Sequence, residues 1–149
     1  MKGIDLLEQY PLTAKVIREW FLERMIESLQ DENVPDEFKN YMRDQGVHND
    51  KVGVMIDANP RMLFDVFDEN EIHISVVYEN NNSKELNYLS TINNCETKHY
   101  CLRRKEAELA VIETAFEILE TKLTPPPPPV EEIPVVDEEI AGEEIVEEN

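Results

Sequence analysis

The sequence predicts an α+β domain: N-terminal helices, a small antiparallel sheet of three or four strands, a long C-terminal helix packed on the sheet, and a disordered tail. Three patterns carry that expectation. Apolar residues recur at spacings of three and four over residues 13–30 and again over 103–123, whereas over residues 72–76 they alternate. From Pro125 onward five consecutive prolines open a stretch that contains no basic residue.

The elements follow in order. Residues Ile4 to Gln9 suit a short helical turn, which Pro11 separates from the next helix. In "TAKVIREWFLERMIESLQ", Val16, Ile17, Trp20, Phe21, Met25 and Leu29 form one face, with Lys15, Arg18, Glu19, Glu23 and Glu27 largely opposite. "NVPDEFKNYMRDQG" predicts a second helix that pairs with the first: Pro35 suits its first turn, Asp36 and Glu37 its positive end, and Gly46 its stop. Phe38, Tyr41 and Met42 make its apolar stripe. "HNDKVGVMIDANP" predicts a third, capped at Asn49 or Asp50, apolar at Val52, Met55 and Ile56, ended by Asn59-Pro60 and weakened by Gly53.

Residues 62–67 fit either period. Asn59-Pro60 would start a helix there, but Asp68-Glu69-Asn70 would equally turn a hairpin, and the reading leans to strand. Ile72, Ile74 and Val76 alternate with His73 and Ser75, "ENNNSK" is a polar turn, and Leu86, Tyr88 and Thr91-Ile92 return antiparallel to them. His99 to Leu102 suit a last strand. "RRKEAELAVIETAFEILETKL" then carries two adjacent apolar stripes, Ala107, Ala110, Val111, Thr114, Ile118 and Leu109, Ile112, Phe116, Leu119, Leu123, the width expected of a central helix. The prolines stop it at Thr124. Residues 1–48 are thus a helical segment and 49–124 a sheet with its helix, together one compact domain, while 125–149 are a polyproline spacer and acidic tail.

Charge narrows the function. The chain has 14 basic and 33 acidic residues, a net charge of -19. Nine of the acids lie beyond Lys122 and no base does, so residues 1–124 carry 24 acids against 14 bases, or -10. Such a body repels nucleic acid and anionic membrane at long range unless a local basic patch overrides it. Charges scattered through the first 25 residues leave no signal-peptide core, and no apolar run approaches membrane-spanning length, so a cytoplasmic protein away from membranes is expected.

Little in the chain points to chemistry. Cys95, His99 and Cys101, with His73 from a neighbouring strand, are the zinc-type ligands available, but their spacing lacks the repeated close pairs of zinc sites, so free thiols are expected. Cys101 with His99 or His73 as base has no further residue to fix its geometry. Asp65 and Asp68 lack the spacing and glycine of a calcium loop, and the four glycines are isolated, which excludes a phosphate loop. No catalytic residue, metal or other cofactor is expected.

The remaining candidates are for binding. Arg103, Arg104 and Lys105 form the only basic run. Helix, three strands and a final helix opening "RRKEAELAVIETAFEIL" resemble the double-stranded RNA-binding domain over residues 50–123, which implies that these three bases meet phosphates across a groove. The chain departs from that family in lacking its glycine-proline-histidine loop and in placing Glu106 and Glu108 beside the bases. The segments "YPLTAKVIREWFLERMIESL", "NPRMLFDVFDENEIHI" and "RRKEAELAVIETAFEILE" are similar in style to small acidic accessory proteins of tailed bacteriophages, which implies expression in a bacterial host cytoplasm. In the tail, Ile133, Val135, Val136, Ile140, Ile145 and Val146 lie among Asp137, Glu138, Glu139, Glu143 and Glu144, so the segment has aliphatic surface to bury when it docks. The polyproline rod, about 15 Å long, holds it off the body. The function expected is that of a non-enzymatic interaction protein that binds a protein partner through its body and its tail. The alternatives are a nucleic-acid binder autoregulated by the tail and an acidic nucleic-acid mimic.

Overall fold

A computed structural model describes residues 2–29, 33–79, 87–93 and 97–130. Six α-helices, α1 (Gly3–Gln9), α2 (Pro11–Ser28), α3 (Asp36–Gln45), α4 (Asn49–Ala58), α5 (Phe64–Glu69) and α6 (Arg104–Leu123), accompany three strands, β1 (Ile74–Tyr78), β2 (Tyr88–Ile92) and β3 (Thr97–Cys101). A 3₁₀ turn, Pro60–Leu63, precedes α5. The expected α+β class is the one observed.

The strands form an antiparallel meander in the order β1-β2-β3. Its register pairs Ile74 with Ile92, Val76 with Ser90 and Ser90 with His99, so by alternation these side chains share one face. That face receives α6, which touches all three strands and meets α2 on its other side. Ile92, Val111, Ile112, Ala115 and Phe116 are fully buried where these layers meet. One continuous core joins Leu6 and Leu7 of α1 through Ile17, Ile56 and Phe67 to Leu119, so the N-terminal helices and the sheet share it. On the opposite face Val77, Leu89 and Tyr100 lie in register across the three strands, and Leu89 is buried between its two half-exposed neighbours.

Residues 62–67 are helical, which corrects the lean to strand. A strand would place Leu63, Asp65 and Phe67 on one face and bury a carboxylate. The helical turn instead gathers Leu63, Val66 and Phe67, all at 0% exposure, and leaves Asp65 in solvent. Pro60 at the first position and the Met62 N–H bonded to the Asn59 carbonyl at 3.2 Å start it. The chain then reverses through Glu71, at φ 63°, before Ile72 enters the core.

Helix faces shift in detail. α2 meets α1, α4 and α6, so it buries a wide arc of Thr13, Ala14, Ile17, Phe21, Leu22 and Ile26, while Met25 stays exposed. α4 begins at Asn49 with His48 as its cap residue, one position before the expected Asn49 and two before Asp50. Asp5 of α1 accepts the Lys2 N–H at 3.0 Å, but Lys2 and Tyr10, the residues before α1 and α2, do not cap these helices with side-chain bonds to the first turn. Carboxylates from distant elements do so instead: Asp57 Oδ1 accepts the Gly3 N–H at 2.7 Å, and Glu120 accepts the N–H groups of Leu12 at 3.1 Å and Thr13 at 2.7 Å.

Candidate interaction surface

Among the described residues α3 is the one helix of two turns or more that buries none of its residues. Its local fold follows from its sequence: Pro35 enters at φ -60° and ψ 144°, Asp36 and Glu37 occupy the positive end, Arg43 the last turn, and Gly46 ends it at φ 67°. Its expected stripe forms, with Met42 half-buried and the two aromatic residues left largely open. Phe38 is 48% exposed and Tyr41 58%, their rings stacked at 6.4 Å. What holds α3 to α2 includes the Arg43–Glu23 ion pair, 3.2 Å long and half in solvent, where water and salt screen it.

Between α3, α2 and α4 lies a cleft of about 270 Å³. Leu22 and Met25 of α2, Tyr41 and Met42 of α3, Val47 of the connection and Met55 of α4 supply its apolar wall. Three of the chain's five methionines are here, and their unbranched, polarisable side chains adapt to more than one occupant. His48 and Lys51 stand at its polar edge, and Lys51 makes no ion pair among the described residues. No carboxylate among the described residues lines it. Three other clefts each contain at least one: Glu19, Glu23, Glu27 and Glu69 around Trp20; Asp50 beside Arg18; Glu69 and Glu71 beside Lys122. In so acidic a body this is a local exception.

The basic run stands elsewhere, and two of its three bases have carboxylates nearby. Arg103 is the cap residue of α6 and approaches Glu106 at 4.0 Å; Arg104 Nε donates to Glu108 Oε1 at 3.0 Å, where the carboxylate is nearly buried. Lys105 is exposed and has no ion pair among the described residues. These pairings relieve the conflict between two arginines and the positive helix end, which is a structural reason for Glu106 and Glu108. The candidate tail residues Ile133 to Val146 lie outside the described residues, as does Cys95.

Among the described residues the candidate ligands and nucleophile form no metal-binding group. His73 is exposed and bonded through Nδ1 to Asp68, whereas His99 faces α6 and shares a 3.0 Å hydrogen bond between Nε2 and Thr114 Oγ1. Cys101 is a free thiol whose pKa is raised, first by burial and then by Glu106, so its nucleophilic thiolate is disfavoured. Among the described residues no group of three or more His, Cys, Asp or Glu side chains could hold a metal ion, and no helix is long and apolar enough to cross a membrane. Comparison with known proteins found no matching family model, no matching curated protein and no matching solved structure.

Sequence reasoning had Phe38, Tyr41, Met42, Met25 and Met55 as packing residues and did not single out Lys51. The signal for a surface was present in the surplus: the N-terminal half offers more apolar helix faces than a core of this size absorbs.

Proposed function

We propose that this chain is a non-enzymatic interaction protein, an accessory protein of the kind tailed bacteriophages encode, which receives an amphipathic segment of a protein partner in the α2–α3–α4 cleft. One observation carries the reading: α3 leaves Phe38 and Tyr41 in solvent beside a methionine-walled cleft that no carboxylate of the described residues lines. A helix or extended segment with aliphatic anchors and acidic flanks fits that chemistry, its anchors filling the apolar floor and its charge meeting Lys51. The tail, with its aliphatic and acidic residues interleaved, is a second handle for a partner. A binding role without catalysis is supported by His73, His99 and Cys101 each being engaged or suppressed separately.

The test is affinity capture from bacterial lysate with the full chain and with surface variants that leave the core intact. Tyr41→Asp and Lys51→Glu should each lose the captured protein at least tenfold, while Tyr100→Asp on the far face of the sheet should retain it. Equal capture by all of them would remove the cleft from the function.

A further inference from the structure

We propose that before a partner arrives the α2–α3–α4 cleft is occupied by the chain's own tail, residues 131–149, bound in cis through its aliphatic side chains. The proposal rests on the reading of that cleft as a binding site. Chemistry, charge and reach support it.

The tail carries Ile133, Val135, Val136, Ile140, Ile145 and Val146 with acids between them, which is the composition the cleft fits: aliphatic groups for Leu22, Met42 and Met55, carboxylates for Lys51. The three other clefts named above suit it less. The other clefts present carboxylates, and two of the three bases at residues 103–105 already have carboxylate partners within the first turns of α6.

Reach is sufficient. Glu120, one turn before the end of α6, bonds to Leu12 and Thr13 at the start of α2, so the tail departs near that end of the bundle. Leu22 and Met25 lie about ten to twelve residues further along α2, roughly 15–18 Å away at 1.5 Å per residue. The prolines and Val130 are exposed. The 19 residues beyond Val130 span up to about 60 Å when extended, so a fold-back needs no second molecule. A tether of this kind presents its segment at about millimolar effective concentration, so an intrinsic Kd near ~0.1 mM already keeps the cleft mostly filled. A partner with the same kind of surface would then have to displace the tail, which would set a threshold on its affinity.

The full chain tests this with methyl-labelled methionine NMR. Replacing Ile133, Val135, Val136, Ile140, Ile145 and Val146 together by Ser touches no core residue named above. We expect the Met25, Met42 and Met55 methyl resonances to shift between this variant and the unsubstituted chain, independently of protein concentration, while Met62, packed against the core away from the cleft, stays put. Three unmoved cleft methyls would overturn the proposal. Shifts that vanish on dilution would overturn it too, because the occupant would be a second copy's tail. If partner capture still depends on Tyr41 and Lys51 in either case, only the tail is displaced from the account and the reading of the cleft stands.

Discussion

Gly3 and Gly53 bring α1 and α4 so close that a Cβ built on Gly3 would lie 2.5 Å from the Gly53 carbonyl oxygen. The converse holds as well: a Cβ on Gly53 would sit 2.8 Å from the Ile4 backbone nitrogen and 3.0 Å from its Cα. Both obstacles are backbone, which cannot swing aside as a side chain can. Contact this close lets Ile56 and Leu6 join one core across the crossing.

Gly53→Ala is therefore expected to destabilise the fold by about 1–3 kcal/mol, although helix propensity alone would favour alanine by nearly 1 kcal/mol. Urea denaturation measures the net effect. A variant as stable as the parent would mean that α1 and α4 are not held at this distance.

Glu120 offers a second test, because it serves another helix's end and not its own. Glu120→Ala removes the acceptor for two N–H groups at the start of α2 and should cost about 1–2 kcal/mol, the usual worth of a cap. Glu120→Gln keeps an acceptor and should cost less. Calorimetry on both variants decides it, since an alanine variant that melts with the parent would show that water serves these donors equally well.

The Cys101 thiol supplies a pH test. Burial, and secondarily Glu106, raise its pKa in the folded protein, so the neutral thiol is the favoured form. Its contribution to stability is whole below the pKa of the unfolded thiol, about 8.5, and is lost as pH rises through the higher folded value. In a Cys95→Ser background, iodoacetamide should modify the native protein more slowly than the urea-unfolded chain at pH 8, with a pH midpoint displaced upward. Equal midpoints in the two states would refute the shift.

α3 should be the first helix to exchange its amides. It buries no residue, and its Arg43–Glu23 ion pair is half in solvent. Arg43→Ala should quicken deuterium uptake over residues 36–45 while leaving the urea midpoint close to the parent's. Uptake over α3 as slow as over α6 would show that more than this ion pair fixes the helix.

How far the sequence could be read depends on which interactions decide each element. α2 and α6 were readable because long helical spacing leaves no alternative, and the β1 alternation at Ile72, Ile74 and Val76 survives as an inward-facing set. "MLFDVF" was misread because six residues fit both periods, and only the cost of turning Asp65 inward decides between them. Gly53 looked like a weakness because propensity considers one helix at a time; its reason is Gly3, fifty residues away. The stripe of α3 was readable, but whether a stripe is covered depends on every other element. The pairing of Arg103 with Glu106 and Arg104 with Glu108 could have been read from spacing alone, since residues three and four apart are neighbours on a helix.

The central position of α6 also orders events during synthesis. Thr13 is made 107 residues before the Glu120 carboxylate that it bonds to, and at about 5–20 residues per second this is a wait of roughly 5–20 s. Throughout that interval Ile17 and Phe21 have no α6 to cover them, and the inner face of the sheet joins them as its strands are made. A nascent chain halted before residue 104 should therefore be cut readily by protease at sites the finished body protects, and this interval is when the cell's chaperones have the most of this protein to hold.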